Sequence, residues 1–545
     1  MDKKYVLLSF VGILLFLPYL GSVHLFDWDE ANFAELAREM IVSGDYLQPQ
    51  INFLPFYEKP PLFIWFQVLS MKVFGVNEFA ARFPNVICGI FVLCSLFHIG
   101  RKYYSEQFGW LWALSFGASI APNFYFRTGL IDPFFNYFIF LAIYFFAFLF
   151  VREGRASLRY CILSSLFTAF AVMTKGPVAL ILIAGSLGLG WVLLKFQNAR
   201  KIGWSLPWVI VSIGLSTIWF YYITTNYGDT YVHEFIEYQI RLFETEDAKH
   251  GGTILFHPIA LLLGCFPASI FMWSTFCNEL KVEKTDFQKI MFQMMVACGI
   301  VVLVVFSVVK TKIIHYSSMD YYPITFFAAF GLNQMILKNK KPKFWQIFAL
   351  GLIGFVWFIA LTLTPILGNN LEMVIPYIGD KNFLEQLKTP LVWHNSASIF
   401  GLIFGIIYAY GLYLLANTKI KKAIIAISIA CVLCIQVIAI YYLPRIEKLV
   451  QGSLVEFCES LKGKDVNTQA LYVKSYNQYF YSDRLPYINK EDSLKHLYYL
   501  YYPLEKDCYF ILRTIDKINM DTSRSPNSNF LYSKNGFVFY KRGAN

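Results

Sequence analysis

The sequence predicts an α-helical polytopic membrane protein with about thirteen transmembrane helices and a small C-terminal α/β soluble domain. Its 545 residues are 57% hydrophobic and only 15% charged, whereas soluble domains carry roughly a quarter charged residues. The mean hydropathy is +0.48, and the apolar residues stand in low-charge runs of the length that crosses a bilayer. Basic residues gather in every second loop between these runs, which is the charge pattern of a multi-span membrane protein.

Thirteen apolar runs account for the predicted spans. No small-residue cleavage motif follows the first run, so we interpret it as an uncleaved span and not as a signal peptide. The stretch 62–75 is apolar but short, and it is predicted to be a helix that lies at the membrane interface. The predicted spans lie near residues 5–21, 80–99, 108–126, 133–151, 158–174, 177–196, 205–224, 254–275, 291–309, 320–336, 344–365, 397–416 and 421–443.

The loop charges predict the orientation of the chain. With Lys3 and Lys4 in the cytoplasm, every inside loop is basic, whereas the first outside loop, 22–61, is rich in Asp and Glu. An odd number of spans then puts the C-terminus outside. The basic loops also account for the net charge of +11, so the sequence predicts no nucleic-acid partner.

Two domains are predicted. Residues 1–443 form a transmembrane domain, whose loop 22–79 lies beside the membrane on the outer side. Residues 444–545 form a C-terminal domain on the same outer side, in which short apolar runs alternate with helix-like stretches, as in a small α/β fold. This region also contains Cys458 and Cys508, which could form a disulfide in an oxidising compartment.

Charged residues crowd at the predicted outer ends of the spans, and this clustering is the main functional signal. Asp29 and Glu30 open a helix-like stretch after the first span, where they could simply favour the helix as capping and first-turn residues. Alternatively, one of these carboxylates takes a proton or stabilises positive charge at a reacting carbon. Glu58 and Lys59 follow in the same loop, before two prolines that stiffen the backbone. A lysine at this position could bind a lipid phosphate.

Further candidates lie at the outer ends of later spans. Asp132 follows the third span, and Lys175 lies in the turn between the fifth and sixth. Ionisable residues at such depths are functional candidates, although a lysine could also extend to the interface as an anchor. Lys312 and His315, with Tyr316 beside them, occupy an outside loop against the positive-inside trend. These cations are expected to meet an anion, most simply a lipid phosphate.

The outside loop 225–253 is rich in acidic and histidine residues. His233 and Glu237 are four positions apart and would share one helix face, so a divalent metal ion stays open as a cofactor, although no ligand spacing is diagnostic. The chain has no P-loop, GxSxG or HExxH motif and no glycine-rich nucleotide cradle. If the protein is a transferase, its donor is therefore expected to be lipid-linked and presented at the outer face.

These motifs, in this order, resemble the membrane glycosyltransferases of the GT-C type, in the dolichyl-phosphate-mannose-protein mannosyltransferase superfamily. Among them they are most similar to the bacterial lipid A aminoarabinose transferases (ArnT). The resemblance is specific over about the first 180 residues, and beyond about residue 340 it rests on architecture. It is carried by Asp29-Glu30-Ala31, Ala34 to Met40, Gly44-Asp45-Tyr46, Tyr57 to Pro61, Asn77 to Arg82, Asp132, Lys175-Gly176-Pro177 and Lys312 to Tyr316.

The resemblance implies a catalytic transmembrane domain that uses a polyprenyl-phosphate-linked sugar donor on the periplasmic face of the bacterial inner membrane. The implied acceptor is a lipid, such as lipid A, or another glycan. Asp29 is the expected catalytic carboxylate, as a general base toward a hydroxyl acceptor or as a stabiliser of oxocarbenium charge with a phosphate acceptor. Glu30 and Asp132 join it as candidate catalytic residues. The expected donor-phosphate and sugar-binding residues are Lys59, Glu58, Lys175, Arg241, Lys312, His315 and Tyr316.

The chain departs from the family pattern at two places. It reads Asn32-Phe33 where aminoarabinose transferases usually have Arg-Tyr, and Tyr238 stands where the family often has a histidine. The sequence therefore predicts the transfer reaction but not aminoarabinose as the sugar. Three alternatives stay open: mannosyltransferase-like transfer to a protein, a transporter of a lipid-linked sugar, and a structural membrane protein. Transporters usually carry charges near the bilayer midplane on broken, repeated helices, whereas here the charges lie at span ends.

Overall fold

The computed structural model describes residues 2–196, 203–244, 252–276, 285–486, 498–522 and 528–544. Helices dominate the chain. They are α1 Lys3–Phe16, α2 Asp29–Ser43, α3 Leu62–Phe74, α4 Glu78–Tyr103, α5 Glu106–Gly117, α6 Ile120–Tyr125, α7 Asp132–Ala147, α8 Arg155–Lys175, α9 Val178–Leu193, α10 Ser205–Tyr227, α11 Thr230–Glu244, α12 Phe256–Gly264, α13 Ala268–Phe271, α14 Asp286–Val308, α15 Tyr321–Lys338, α16 Phe344–Asn369, α17 Lys381–Gln386, α18 Ser398–Ala416, α19 Ile420–Val437, α20 Leu443–Val450, α21 Gly452–Ser460, α22 Asn477–Phe480, α23 Tyr498–Tyr501 and α24 Lys517–Thr522.

Every one of the thirteen predicted spans coincides with one or more of these helices, which confirms a helical polytopic membrane protein. Within the described residues, eight helices are long and apolar enough to cross a bilayer, and a bent pair could supply a ninth. Three of the remaining predicted spans consist of shorter helices, such as α1 with 14 residues and α9 with 16, and the fourth is α15 with 18. The number of helices that cross the membrane therefore stays a prediction. The short stretch 62–75 does form a helix, α3.

The predicted span 254–275 is not one continuous helix. It consists of α12 and α13 with its 3-10 extension to Phe276, and the two parts are bent by 107°. Pro267 lies at the break. Proline has no amide to donate and disfavours helical backbone in the residue before it, so the chain turns here, and the Ile120 amide beside it donates to the Phe266 carbonyl at 3.1 Å.

The candidate residues lie at helix ends because local signals start and stop the helices beside them. Asp29 and Asp132 are the first residues of α2 and α7, and Pro133 suits the first turn of α7. Lys175 is the last residue of α8, which ends at Gly176 with a φ of 97°. His315 lies in a 3-10 helix, Ile314–Asp320, between α14 and α15. Helix ends expose backbone and side chains together, which suits the binding of charged groups.

The C-terminal region contains a mixed sheet with helices around it, as predicted for a small α/β domain. Its strands are β3 Asn467–Ala470, β4 Cys508–Arg513, β5 Ser528–Lys534 and β6 Phe537–Arg542, after a two-strand ribbon of β1 Gln50–Ile51 and β2 Leu54–Pro55 earlier in the chain. The order is β3-β4-β6-β5, with β3 and β4 parallel and the other pairs antiparallel. Strand β3 ends at Ala470, and the apolar residues 471–473 that follow it form a loop.

The C-terminal domain shares a hydrophobic cluster with the juxtamembrane helices. Phe33 and Ala37 of α2 belong to the same buried cluster as Phe457 of α21 and Phe539 of β6. Burial of apolar area at this contact holds α2 against the soluble domain. Cys458 lies in this cluster, and both it and Cys508 are buried free thiols, so the possible disulfide between them is not present.

Candidate active site

A cavity of about 540 Å³ lies where the ends of the helices and the juxtamembrane loop meet. A cavity of this size suits a small organic ligand. Eight of the ten residues singled out in the sequence line it, namely Asp29, Glu30, Glu58, Lys59, Asp132, Lys175, His315 and Tyr316. Arg241 and Lys312 are not among its lining residues. These eight predicted residues thus lie together although they come from five separate chain segments.

Two carboxylates face one imidazole in this cavity. The Nε2 atom of His315 lies 3.5 Å from Asp29 Oδ2 and 3.8 Å from Asp132 Oδ2. The side chain of Asp29 is 39% exposed, whereas that of Asp132 is 3% exposed. Burial lowers the pKa of His315, although the two carboxylates oppose that shift. His315 thus lies against both carboxylates, and Asp29, the more exposed of the two, remains the carboxylate that a ligand can reach.

Lys175 forms a short ion pair with Asp132. Its Nζ also lies 4.8 Å from the centre of the Tyr316 ring and 5.5 Å from that of Phe135. These contacts hold the ammonium in one place by charge pairing and cation–π attraction. This geometry suits Asp132 to position Lys175, since the lysine compensates its charge.

Lys59 is the second cation of the cavity. Tyr231 fixes the loop before α3 by donating its hydroxyl to the carbonyl of Phe56 at 2.8 Å and to that of Lys59 at 3.3 Å. The Nζ atom of Lys59 lies 4.7 Å from the centre of the Tyr238 ring. Burial lowers the pKa of its ammonium, while the acids nearby oppose that shift, Glu58 first. A desolvated cation in this position attracts an anion more strongly than a solvated one would.

Glu30 lines the cavity, but its carboxylate is held by other groups. Arg82 donates from Nε and Nη2 to the two oxygens at 2.7 and 2.8 Å, and the amides of Phe26 and Gly129 donate to the same oxygens at 2.9 and 2.6 Å. The side chains of Glu30 and Arg82 are each 5% exposed. A carboxylate with four such donors is an anchor between α2, α4 and the loop before α7. This geometry supports a structural role for Glu30 and not the catalytic role predicted for it.

Lys312 lies next to the cavity but points into the end of α14. Its Nζ donates to the carbonyls of Phe306, Ser307 and Val309 at 3.0, 2.7 and 2.6 Å. A lysine that satisfies the last carbonyls of a helix stabilises that helix end. Arg241 stacks against Tyr238, with its guanidinium 5.2 Å from the ring centre. Neither of these predicted phosphate-binding residues lines the cavity, and their role in binding stays a prediction.

Three residues that line the cavity were not among the predicted site residues. Trp28 and Lys474 line the cavity, and Lys474 belongs to the C-terminal domain. Asn32 also lines it, is 3% exposed, and its amide oxygen has no hydrogen-bond partner in the described part of the chain. An unsatisfied buried amide at a cavity wall can recognise a ligand hydroxyl. In the sequence, Asn32 stood out only because it departs from the family pattern. Nothing in the sequence indicated that Lys474 would reach the cavity.

A possible metal site lies on α11. His233, Glu234 and Glu237 offer ligand atoms within 4.8 Å of one another, and all three residues are exposed. One imidazole and two carboxylates suit a divalent ion, but the same atoms also form an ordinary surface pair, with His233 Nδ1 3.9 Å from Glu237 Oε2. These residues are not among those lining the cavity, and a bound metal stays a prediction. The end of loop 225–253 falls partly outside the described residues.

Asp27 joins the site to the C-terminal domain. Its Oδ1 accepts a hydrogen bond from the Tyr476 amide at 2.9 Å, and its own amide donates to Gln451 at 3.1 Å. Burial raises the pKa of Asp27 from 3.8 to about 6, against the hydrogen bonds it accepts. The folded state therefore binds this proton more tightly than the unfolded state, so the carboxyl costs stability progressively as the pH rises from about 3.8 to about 6, and the full cost remains above that.

The substitution Asp27→Asn should remove this pH dependence, because the amide keeps an acceptor oxygen and carries no charge. We expect the variant to be more stable relative to wild type at pH 7.5 than at pH 5, by about 1.4 kcal/mol in unfolding free energy, since about one pKa unit of the shift lies above pH 5. Thermal unfolding in detergent at both pH values measures it. The exposed acid Asp229, changed to asparagine, is the control. An equal offset at both pH values would contradict the expectation.

The chain is similar in sequence to a known protein family and to several known proteins. Residues 58–222 match the family model described as dolichyl-phosphate-mannose-protein mannosyltransferase. A curated relative from Shewanella sediminis, named undecaprenyl phosphate-alpha-4-amino-4-deoxy-L-arabinose arabinosyl transferase, is 25% identical over 349 residues, which are 63% of this chain and 62% of that protein. The chain thus matches less than two thirds of that relative's length. An uncharacterised protein from Aquifex aeolicus is 25% identical over 412 residues, covering 72% of this chain and 79% of that protein.

Solved structures match a longer part of this chain than these sequence relatives do. ArnT from Cupriavidus metallidurans, in a crystal structure bound to undecaprenyl phosphate, superposes with a TM-score of 0.76 and 15% identity, covering 99% of this chain and 98% of that chain. The same protein in its apo state gives a TM-score of 0.72 with 14% identity. At this identity the likeness shows the fold, and it extends through the C-terminal domain.

Proposed function

We propose that the chain is a polyprenyl-phosphate-dependent glycosyltransferase of the GT-C type, because residues 58–222 match the dolichyl-phosphate-mannose-protein mannosyltransferase model and its relatives include an arabinosyl transferase. It moves a sugar from that donor to a lipid, such as lipid A, or to another glycan on the periplasmic face of the bacterial inner membrane. The observation that carries the proposal is the cavity in which the accessible carboxylate of Asp29 lies with the ammonium groups of Lys59 and Lys175.

Glycosyl transfer needs charges of both signs near the bond that breaks. The bond between the anomeric carbon and the donor phosphate oxygen breaks, a bond to the acceptor oxygen forms, and the polyprenyl phosphate leaves with the electron pair. Positive charge develops on the sugar ring and negative charge on the leaving phosphate. A carboxylate stabilises the first and cations stabilise the second, most effectively where water is excluded.

Asp29 serves the sugar side of this reaction. With a hydroxyl acceptor, its carboxylate takes the proton that the hydroxyl loses. With a phosphate acceptor, no proton has to be removed, and the same carboxylate stabilises the oxocarbenium-like ring. In either case His315, 3.5 Å away, orients Asp29. Asn32, whose buried amide oxygen has no hydrogen-bond partner among the described residues, is suited to bind a sugar hydroxyl.

Lys59 and Lys175 serve the leaving group. An ammonium on a flexible stem binds phosphate oxygens as a compact point charge, and the ion pair to Asp132 and the aromatic rings around both lysines reduce the freedom of the two ammonium groups. Preorganised charges of this kind need little rearrangement during the reaction, which is the basis of electrostatic catalysis.

The substitution Lys59→Ala should reduce transfer at least about a hundredfold, the usual effect of removing one preorganised charge-stabilising group. Cells lacking the protein are complemented with wild type, Lys59→Ala or Lys462→Ala at equal expression, and lipid A and surface glycans are analysed by mass spectrometry. Lys462 is an exposed lysine of the C-terminal domain and serves as the control. We expect one sugar-sized mass increment with wild type and the control, and its loss with Lys59→Ala.

The outcome also separates transfer from transport. A transporter forms no new bond, so purified protein with a polyprenyl-phosphate sugar and an acceptor lipid would give no new product. If Lys59→Ala restores every glycan that wild type restores, the assignment of the cavity is wrong. If the increment appears on a protein and not on a lipid, the reaction class stands and the acceptor is a polypeptide.

A further inference from the structure

We propose that Lys474 of the C-terminal domain binds an acceptor phosphate at the entrance of the cavity, so that the soluble domain supplies part of the acceptor site. This inference rests on the proposed function and adds to it a residue of the soluble domain that contacts the acceptor. The Nζ atom of Lys474 lies 3.9 Å from Glu58 Oε1 and 4.3 Å from the centre of the Trp28 ring. Glu58 and Trp28, which Lys474 contacts, directly precede Lys59 and Asp29 in the chain.

The backbone around Lys474 is held in place. The loop that carries it begins at the end of β3, where the Leu471 amide donates to the Ile511 carbonyl at 2.9 Å. It ends at Tyr476, whose amide donates to Asp27 at 2.9 Å. The hydrogen bonds at both ends, together with the docking of α2 on the soluble domain, fix where this lysine enters the cavity. An ordinary surface lysine has no such constraint.

Lys474 is also open to an incoming anion. Its side chain is 45% exposed, compared with 11% for Lys175. At 3.9 Å its pairing with the half-buried Glu58 is a weak ion pair. A phosphate oxygen would form a shorter, charge-assisted hydrogen bond with the ammonium. The cation can therefore exchange Glu58 for a phosphate at small cost, which a lysine already committed to a buried partner cannot do.

The origin of Lys474 favours the acceptor over the donor. The two lysines proposed for the donor phosphate come from the transmembrane domain, Lys59 from its juxtamembrane loop and Lys175 from the end of α8. Lys474 comes from the soluble domain and reaches the cavity from outside the transmembrane domain. A third cation at the outer side suits a second anionic substrate, because two phosphate-bearing substrates brought together repel each other unless each has its own countercharge.

Equilibrium binding of lipid A tests the inference without depending on turnover. The full-length protein in detergent is titrated with lipid A, which carries a phosphate at each end of its disaccharide, and with monophosphoryl lipid A, which has lost one. We expect wild type to bind the diphosphorylated form about tenfold more tightly, as for one charge-assisted hydrogen bond. Lys474→Ala should remove that preference and Lys474→Arg should keep most of it, while Lys462→Ala should behave as wild type.

Kinetics separate this role from donor binding. In the transfer assay Lys474→Ala should raise the KM for lipid A about tenfold and leave the KM for the polyprenyl-phosphate sugar and the kcat within about twofold. Equal binding of both lipids by wild type, or an unchanged preference in folded Lys474→Ala, would overturn the inference. If Lys474→Ala does not fold, Lys474→Gln takes its place in both assays. Failure of wild type to form any product, with the binding preference intact, would instead count against the proposed function.

Discussion

Replacing Asp29 with asparagine is expected to lower the rate constant of transfer at least about a hundredfold, the lower end of the range for losing a positioned acid–base group. The amide has the shape of the carboxylate but can neither take a proton nor stabilise a positively charged ring. Donor binding should stay within about twofold, because Lys59 and Lys175 supply the charges that bind the phosphate. Single-turnover transfer with a polyprenyl-phosphate sugar, together with donor binding measured separately, provides the test.

The choice of variants distinguishes the two carboxylates of the cavity. Asp132→Asn should weaken transfer mainly by releasing Lys175 from its ion pair, so donor binding should suffer along with the rate. Glu505→Gln changes an exposed acid of the C-terminal domain and should have no effect. If Asp29→Asn keeps more than about a tenth of wild-type activity while Asp132→Asn loses all of it with normal donor binding, then Asp132 is the catalytic carboxylate and Asp29 is not.

Replacing Arg82 with methionine is expected to give the largest loss of stability, about 3–5 kcal/mol. Methionine fills similar space but leaves the Glu30 carboxylate buried with no guanidinium, and breaking a buried ion pair from one side costs the full desolvation of the charge that remains. The double variant Glu30→Met with Arg82→Met should be more stable than Arg82→Met alone, since it removes both buried charges. Thermal unfolding of the purified protein in detergent measures all three.

An exposed ion pair is the matched control for this experiment. Arg101 pairs with Asp2 at the surface, and both side chains are more than a third exposed. Arg101→Met should change the unfolding temperature little, because solvent screens such pairs. The activity of folded Glu30→Gln decides the role of Glu30. Normal stability with lost transfer would restore the catalytic role that the sequence predicted, whereas lost stability with transfer per folded molecule retained supports the anchor role.

The membrane-spanning helices and most residues of the site could be predicted from the sequence because their signals are local. A run of apolar residues is a span wherever it occurs, and the positive-inside bias then indicates which ends share a side of the membrane. Charged residues at the outer ends must meet when the helices bundle, so Asp29, Lys59, Asp132 and Lys175 were recognisable as one cluster. The bend in the span 254–275 was missed because hydropathy does not register the effect of Pro267 on the backbone.

The sequence by itself thus determined the class of protein, the helices and the charged residues that gather at the outer ends of the spans. Only the tertiary structure decided which of these groups can act. Asp29 and Glu30 are neighbours in the chain, yet one is accessible in the cavity and the other is held by Arg82. Lys312 caps a helix while His315, three residues on, faces the carboxylates. Lys474 enters from a domain far along the chain. Side-chain partners depend on packing between segments distant in sequence, and no local pattern encodes that packing.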